Sequence, residues 1–333
     1  MKHFRKASVG LVGVLAFAMT AGSALAGTTV KIAAEEPGGG WYSYSATFTK
    51  VIEKDTNGEI NVEIIPRGGG FANPTAVNRG AEFGFTTSNA AAWARDGLEE
   101  VYKGKKAENI VTVTSALQAG YTILMARKAY VDKTGYKTLA EMLSAPTPPK
   151  IGMEPTGSQV PMLANIIFET LGTSLKELRD KGAITQVSSS QLSGLVTDNR
   201  IDLYFENVPA GQATVTEVTL TNDMYYVPIP EKALTALANA GLATGVMPKG
   251  TYRLQDADYK TAISGNIIIA NKNVPDDVVY DVLKALIDNK DYIQEQHAAL
   301  KYWKPAAGCQ PENAVLPLHP GAEKLCKELG YLK

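Results

Sequence analysis

The sequence predicts an α/β protein of two lobes, and three observations lead to that prediction. From residue 30 onward, short apolar runs alternate with amphipathic runs of helical period, which is typical of α/β architecture. A set of three strand-to-helix turns occurs twice, once before the Pro-rich connector at residues 145–149 and once after it. Apolar, β-rich runs at residues 109–116 and 121–127, split by Gly120, and at residues 262–270 provide two crossings between the halves, so we expect a hinge and a cleft between the lobes.

The elements of the first half follow from apolar runs that end in small or polar turns. The predicted strands are Val30–Ala34, Ile60–Pro66 and Glu82–Thr86, and the predicted helices are Trp41–Asp55, Phe71–Arg79 and Ala90–Asp96. Two of the turns, Gly38–Gly40 and Gly68–Gly70, consist of glycine, which lets the backbone approach a bound molecule closely. Helix N–H groups follow directly, so these turns predict one wall of a small-molecule cleft.

The second half repeats the scheme. The predicted strands are Lys150–Met153, Ile184–Val187, Ile201–Phe205 and Ala262–Ala270, and the predicted helices are Gln159–Leu171, Gln191–Asn199, Glu231–Ala240, Pro275–Asn289 and Ala322–Leu329. The helix from Pro275 is well formed, because Pro275 suits a first turn and Asp276 and Asp277 suit the positive end. Ligands of open α/β sheets bind beyond the carboxyl ends of strands, so the turns of both halves are expected to face one ligand.

The first 26 residues have the pattern of a cleaved signal peptide. A basic start precedes the apolar run Val9–Met19, and Ala24-Leu25-Ala26 forms a cleavage site. The alternative is an uncleaved anchor, but the run is short for a membrane span. We therefore expect an exported, soluble chain that begins at Gly27 and lies in the periplasm.

Charge and composition exclude several classes of function. Without the three cations of the signal peptide, the 33 Lys and Arg fall to 30 against 34 acids, a net charge of −4. The charges are mixed and form no basic tract, which argues against nucleic acid as a partner. The sequence contains no catalytic set such as G-x-S-x-G, and it predicts neither an enzyme nor a cofactor. Paired carboxylates keep that question open at the level of sequence.

The two cysteines, Cys309 and Cys326, lie near the C-terminus. In an oxidising compartment a disulfide between them is the default interpretation. Two buried free thiols are the alternative. A metal site is disfavoured because His297 and His319 have no ligand-type spacing with the cysteines.

Polar residues in the turns are the candidate ligand contacts, and each has a structural alternative. Arg67 could clamp a carboxylate or pair with a nearby acid at the surface. Asn73, Ser88 and Asn89 could bond a ligand or cap helices. Gly157, Ser158 and Gln159 could form an anion seat or an ordinary helix start. Glu206, beside Asn207, could receive an ammonium group or join the lobes by an ion pair.

At these motifs the chain resembles the TAXI family, the extracytoplasmic solute-binding subunits of TRAP transporters. The matching segments, in chain order, are PGGGWY (residues 37–42), Pro66–Asn73, EFGFTTSNAAAWARDG (82–97), PTGSQ (155–159), RIDLYFENVPA (200–210), Pro248–Tyr252, VPDDVVYDVLKAL (274–286) and HPGAEKLCKELGYL (319–332). Each is weak alone, but their order and spacing are specific.

The resemblance implies a type II periplasmic-binding-protein fold, with residues 27–118 and 270–333 in lobe I and residues 119–269 in lobe II. It implies a monomer that captures a small carboxylate by hinge closure and delivers it to a TRAP-type transporter. The family ligands are glutamate and related dicarboxylates. Dicarboxylates, oxo acids and acidic amino acids are therefore the candidates, and a sensor partner of a membrane receptor kinase is the alternative function.

The residues that the resemblance implies as contacts are Gly39, Gly40, Trp41, Tyr42, Asn73, Ser88, Asn89, Gly157 and Ser158. Gly69, Arg67, Gln159, Glu206 and Asn207 complete the predicted site. The chain departs from the family pattern at Arg67, Gly70, Thr87–Asn89 and Gln159, and Glu35 and Glu36 replace smaller residues. An inward Arg67 predicts an anion without an amino group, whereas an inward Glu36 or Glu206 favours an amino acid.

Overall fold

A computed structural model describes residues 27–333 of the chain. The predicted signal peptide, residues 1–26, lies outside the described residues. Among residues 27–333, no helix combines the length and the apolar character that crossing a membrane requires.

The strands of the described range belong to one continuous sheet. They are β1 (Thr28–Ala33), β2 (Ile60–Ile65), β3 (Phe83–Thr87), β4 (Ile110–Thr114), β5 (Ala119–Arg127), β6 (Ile151–Met153), β7 (Ile184–Gln186), β8 (Leu203–Pro209), β9 (Met224–Tyr226), β10 (Ala243–Met247) and β11 (Tyr259–Asn271).

The helices cover the faces of this sheet. They are α1 (Gly40–Asp55), α2 (Ala72–Asn78), α3 (Ser88–Asp96), α4 (Glu99–Tyr102), α5 (Lys128–Thr134), α6 (Leu139–Leu143), α7 (Val160–Thr170), α8 (Leu175–Asp180), α9 (Ser189–Thr197), α10 (Ala213–Thr221), α11 (Glu231–Asn239), α12 (Asp276–Asp288), α13 (Lys290–Gln296), α14 (Pro305–Gly308) and α15 (Pro320–Glu328), with a 3₁₀ turn at Ala298–Leu300.

Strand order divides the sheet into two similar halves. The order is β2-β1-β3-β11 in the first half and β7-β6-β8-β5 in the second, and β11 pairs with both β3 and β5. In each half the first three strands are parallel and the crossing strand is antiparallel to its neighbour. The predicted two-lobed α/β fold is thereby confirmed.

Long strand β11 is one of the connections between the halves. Its segment Asn266–Ala270 pairs with β3, and its segment Ile263–Gly265 pairs with β5. The other connection runs from β4 to β5. Both connections are strand backbone at the middle of the sheet, which is where a hinge between two lobes is expected.

Each half has its own hydrophobic core. One core extends from Ile123 to Ala262 around Phe168 and Tyr204, and the others use residues before 118 and after 266, including Phe48 and Trp303. All four of these large side chains are at most 1% exposed. The lobe boundaries at residues 118/119 and 269/270 stay a prediction.

Helix α10 is not predicted from the sequence. Its sequence, ATVTEVTLT, is rich in residues that favour strands. Val215 and Val218 are nevertheless one helical turn apart and fully buried, and Thr219 Oγ1 donates to the Val215 carbonyl at 2.9 Å. Burial of that face outweighs the weak local preference.

A disulfide joins Cys309, at the end of α14, to Cys326 in α15. The S–S distance is 2.01 Å and the Cα–Cα distance is 5.9 Å. Both cysteines are almost completely buried in the core of the first lobe, so the bridge fastens the C-terminal helix to that core.

Candidate functional site

A cavity of about 80 Å³ lies where the carboxyl ends of strands from both lobes meet. That is several times the space that one water molecule needs, so the cavity has the scale of a small ligand. Its lining residues are Glu35, Glu36, Gly39, Gly40, Trp41, Tyr44, Gly68, Gly69, Gly70, Thr87, Gln118, Glu154, Pro155, Ser158, Gln159, Ser188, Ser189, Asn207, Val208, Pro209, Gln212 and Asn266.

The turn from β1 to α1 forms the first wall. Glu35 Oε1 accepts a hydrogen bond from the Trp41 main-chain N–H at 2.6 Å, so a carboxyl group lies at the positive end of α1. Gly39 permits this contact, because a Cβ there would lie only 2.4 Å from Glu35 Cδ. The Trp41 ring stacks on Phe85, and its Nε1–H donates to Asn266 Oδ1 at 3.1 Å.

Asn73 supports the glycine turn that follows β2. Its side chain is 1% exposed, and its Nδ2 donates to the main-chain carbonyl of Ala34, directly after β1, at 2.7 Å and to that of Phe85, within β3, at 2.8 Å. Its Oδ1 accepts the Gly69 N–H at 3.2 Å. Asn73 therefore shapes the wall from behind, and the cavity is lined by Gly69 and its neighbours.

The second lobe supplies a group of carboxyl side chains. Glu154 follows β6 and lines the cavity, and Glu206 lies on β8 with no exposed surface. Ser189 Oγ is 2.9 Å from Glu154 Oε1 and also contacts Glu206 Oε1. Since a hydroxyl has one hydrogen to donate, one of the two carboxyl groups must carry a proton for both contacts to be favourable.

Burial raises the pKa of each of these carboxyl groups, Glu35, Glu154 and Glu206. Burial, followed by the charge of Glu154, raises the pKa of Glu35 to about 8, against the opposing bond from Trp41. The same two causes raise the pKa of Glu206 to about 8, although Ser189 and Tyr204 bond it. Burial also raises the pKa of Glu154. The described residues that line the cavity include no Lys or Arg that would supply a counter-charge.

Seven of the predicted site residues line the cavity: Gly39, Gly40, Trp41, Gly69, Ser158, Gln159 and Asn207. The other seven lie outside its lining: Tyr42, Arg67, Asn73, Ser88, Asn89, Gly157 and Glu206. Of these, Arg67 is exposed, Asn73, Asn89 and Glu206 are buried, and Ser88 Oγ donates to the Gly265 carbonyl at 3.4 Å.

Several lining residues are not among those that the sequence predicts. Glu154 directly follows β6, and a polar residue at the carboxyl end of a strand is the signal that would have found it. Gln118 and Asn266 lie on the two crossings, where polar residues interrupt apolar runs. Tyr44 and Gln212 carry no comparable signal. Tyr44 lies one turn into α1 and donates to Gln118 Oε1 at 3.3 Å.

Two α/β lobes around a polar cleft define the fold of periplasmic binding proteins. The structure is similar to MatC from Rhodopseudomonas palustris with bound malate (TM-score 0.54, 14% identity, 91% of this chain and 97% of that chain covered). It is also similar to the periplasmic binding protein BugD (0.54, 13%, 91% and 98%) and to a second R. palustris protein with adipate (0.52, 13%, 91% and 96%). The chain belongs to the NMT1-like family, whose family model matches residues 32–330.

Proposed function

We propose that this protein captures a small carboxylate that also carries an amino group, such as glutamate, by closure of its two lobes. The protein then delivers the ligand to a TRAP-type membrane transporter and carries out no chemical step on it. The observation that carries the proposal is the acidity of the cleft: Glu35 and Glu154 line the cavity, Glu206 lies buried against the lining residue Ser189, and the described lining residues include no Lys or Arg.

An ammonium group is the ligand feature that this charge pattern favours. The carboxyl groups repel one another when ionised, which together with burial keeps their pKa values high in the empty cleft. A ligand cation supplies the missing counter-charge and stabilises the ionised form. Dicarboxylates and oxo acids bring only further negative charge to the same wall, so amino acids rank above them.

The ligand carboxylate needs a different location from the ammonium. Glu35 already occupies the positive end of α1. The start of α7 is the alternative, because Ser158 lines the cavity there and its Oγ accepts the Val160 N–H at 3.2 Å. We place the carboxylate beside Ser158, where helix N–H groups favour an anion.

The proposals for the partner transporter and for the cellular compartment rest on the sequence. The segments similar to the TAXI family support delivery to a TRAP transporter, and the predicted signal peptide supports a periplasmic location. The similar structures with bound malate and with adipate support a small acid as the class of ligand. We propose a monomer without a cofactor, with lobe boundaries near residues 118/119 and 269/270.

Thermal shift with L-glutamate and 2-oxoglutarate tests the ligand class. These compounds share their carbon skeleton and both carboxylates, and they differ in the amino group. A ligand at 100 times its Kd adds roughly 2.7 kcal/mol to the free energy of unfolding, which is a clear shift. We expect L-glutamate to stabilise the protein more strongly, and a larger shift with 2-oxoglutarate would overturn the proposed amino group.

Delivery is tested by uptake. Vesicles that contain the membrane subunits should accumulate labelled ligand only when the purified protein is added. Turnover of the ligand by the purified protein alone would assign an enzyme instead. Binding without uptake would favour the sensor function.

A further inference from the structure

The Gln159 side chain connects the two lobes. Its Oε1 accepts hydrogen bonds from Thr87 Oγ1 and Asn89 Nδ2 of the first lobe, each at 2.9 Å. Its Nε2 donates to Asn207 Oδ1 at 2.8 Å and to Ser264 Oγ at 3.1 Å, on β8 and the crossing strand β11. Gln159 is only 5% exposed, so water competes weakly for these bonds.

These four bonds use the full capacity of the amide. A glutamine side chain has two hydrogens to donate and two lone pairs to accept with. Gln159 therefore has no bonding position left for a ligand while the lobes are in this arrangement. Its four contacts are all internal to the protein.

Backbone contacts at the same edge of the cleft join the lobes a second time. The Gly157 carbonyl of the second lobe accepts the Phe71 and Ala72 N–H groups of the first lobe, at 3.0 and 3.3 Å. Gly69 packs against this carbonyl with a φ of +142°, and a Cβ there would lie 2.9 Å from the Gly157 oxygen. The lobes approach this closely only because Gly69 has no side chain.

We infer that Gln159 and the Gly157 carbonyl form a latch that stabilises the closed lobes without a hydrogen bond to the ligand. The latch sets how long the cleft stays closed and leaves the choice of ligand to the acidic wall. Rotation of the lobes breaks both Gln159 bonds to the first lobe and both bonds to Gly157. The inference rests on lobe closure in the proposed function and is independent of the ligand's identity.

The Gln159→Ala variant tests the latch by dissociation kinetics. The variant loses the two hydrogen bonds from Gln159 to the first lobe, which should lower the ratio of closed to open protein by about tenfold or more. We expect L-glutamate and every other compound that binds to dissociate faster by the same factor. Gln296→Ala, an exposed truncation on α13, is the matched control and should leave the rates unchanged.

The Asn89→Ala variant separates the latch from a direct ligand contact, because Asn89 does not line the cavity. It should raise the dissociation rate as well. In the double variant with Gln159→Ala, the combined effect on the dissociation rate should be smaller than the product of the single effects, because both substitutions remove the same Asn89–Gln159 hydrogen bond. Independent effects that multiply, or factors that differ from ligand to ligand, would overturn the latch.

Small-angle scattering of ligand-free protein distinguishes failure of the latch from failure of the proposed ligand. A larger radius of gyration for Gln159→Ala than for the wild type supports the latch, even if L-glutamate does not bind. If L-glutamate binds and the variant changes neither the radius nor the dissociation rate, the latch is wrong and the proposed function stands.

Discussion

The Glu35 carboxyl group accepts the Trp41 main-chain N–H at 2.6 Å, across the Gly38–Gly40 turn. An acidic side chain of the protein thus lies at the helix end where an anionic ligand would otherwise be expected. The contact lowers the pKa of Glu35, but burial and the charge of Glu154 outweigh it, and the pKa is raised to about 8. Glu35, in the first wall of the cleft, is therefore largely protonated when the cleft is empty at neutral pH.

Ligand affinity should rise with pH between about 6 and 8. A ligand ammonium lowers the pKa of the carboxyl groups that it meets, so binding releases protons and is favoured at higher pH. For each proton released, the ligand affinity rises by up to about tenfold per pH unit. Calorimetric titration of L-glutamate in two buffers of different ionisation enthalpy measures the number of protons.

The Glu35→Gln variant tests whether Glu35 contributes to this pH dependence of ligand affinity. It keeps an oxygen for the Trp41 N–H but does not titrate, so the affinity should depend less steeply on pH. An affinity that is constant or falls from pH 6 to 8 in the wild type would contradict an ammonium partner.

The stability of the ligand-free protein should fall over the same pH window. Glu206 has a folded pKa of about 8, whereas an unfolded glutamate ionises near 4.5. Between these values the folded state binds more protons, so the free energy of unfolding decreases as pH rises. Glu206→Gln should remove up to about 2 kcal/mol of this decrease between pH 6.5 and 8. Urea titrations at several pH values measure it.

The exposed residue Glu217 on α10 provides the matched control for that experiment. Glu217→Gln changes the same chemical group, and the pH dependence should stay that of the wild type. Equal slopes for the Glu206 variant and the wild type would show that Glu206 is ionised in the folded protein.

Titration of His319 should lower the stability of the protein as pH falls, whereas titration of Glu206 lowers it as pH rises. Its Nδ1 accepts the Gly321 N–H at 3.2 Å, so Nε2 carries the hydrogen and donates to the Val274 carbonyl at 3.0 Å. Burial lowers the pKa of His319, and the folded state therefore resists the proton that an unfolded histidine takes up near pH 6.5. Stability should decrease as pH falls below that value.

NMR titration of the imidazole signals measures the His319 midpoint directly. We expect a value below 6.5, and His319→Gln should weaken the loss of stability between pH 7 and 5. A midpoint at or above 6.5 would contradict this assignment. His297 also has a pKa lowered by burial, so the signal must be assigned with the variant.

The fold was largely predictable because hydrophobic period and turn chemistry are local properties. β11 and α12 follow from apolar runs with clear boundaries. α10 does not, because its Thr and Val favour strands and only the buried face of Val215 and Val218 reverses that preference. In the site, Gly39 and Trp41 were found from their place after β1. Gln118 and Asn266 reach the cavity from the crossings, which only tertiary packing brings there.

Arg67→Ala should leave ligand affinity nearly unchanged. Sequence alone could not tell which way this side chain points, because the positive φ values of Gly68 and Gly69 redirect the turn. The structure places Arg67 at the surface, outside the lining of the cavity. Substitution of an exposed residue typically changes a free energy by less than about 0.5 kcal/mol. A loss of binding above tenfold, measured by calorimetry, would restore Arg67 as a carboxylate clamp.

Removal of the disulfide should destabilise the protein without changing the cleft. Cys309 and Cys326 are 17 residues apart, and closing a loop of that size in the unfolded chain corresponds to about 3 kcal/mol. The Cys309→Ser/Cys326→Ser variant should therefore unfold at a lower urea concentration. Ligand affinity should be retained, because α15 packs on α12 and neither helix contributes a lining residue to the cavity. Wild-type protein treated with a reductant should show a similar decrease. Equal urea midpoints for oxidised and reduced protein would mean that packing of α15 on α12 holds the C-terminal segment in place without the bridge.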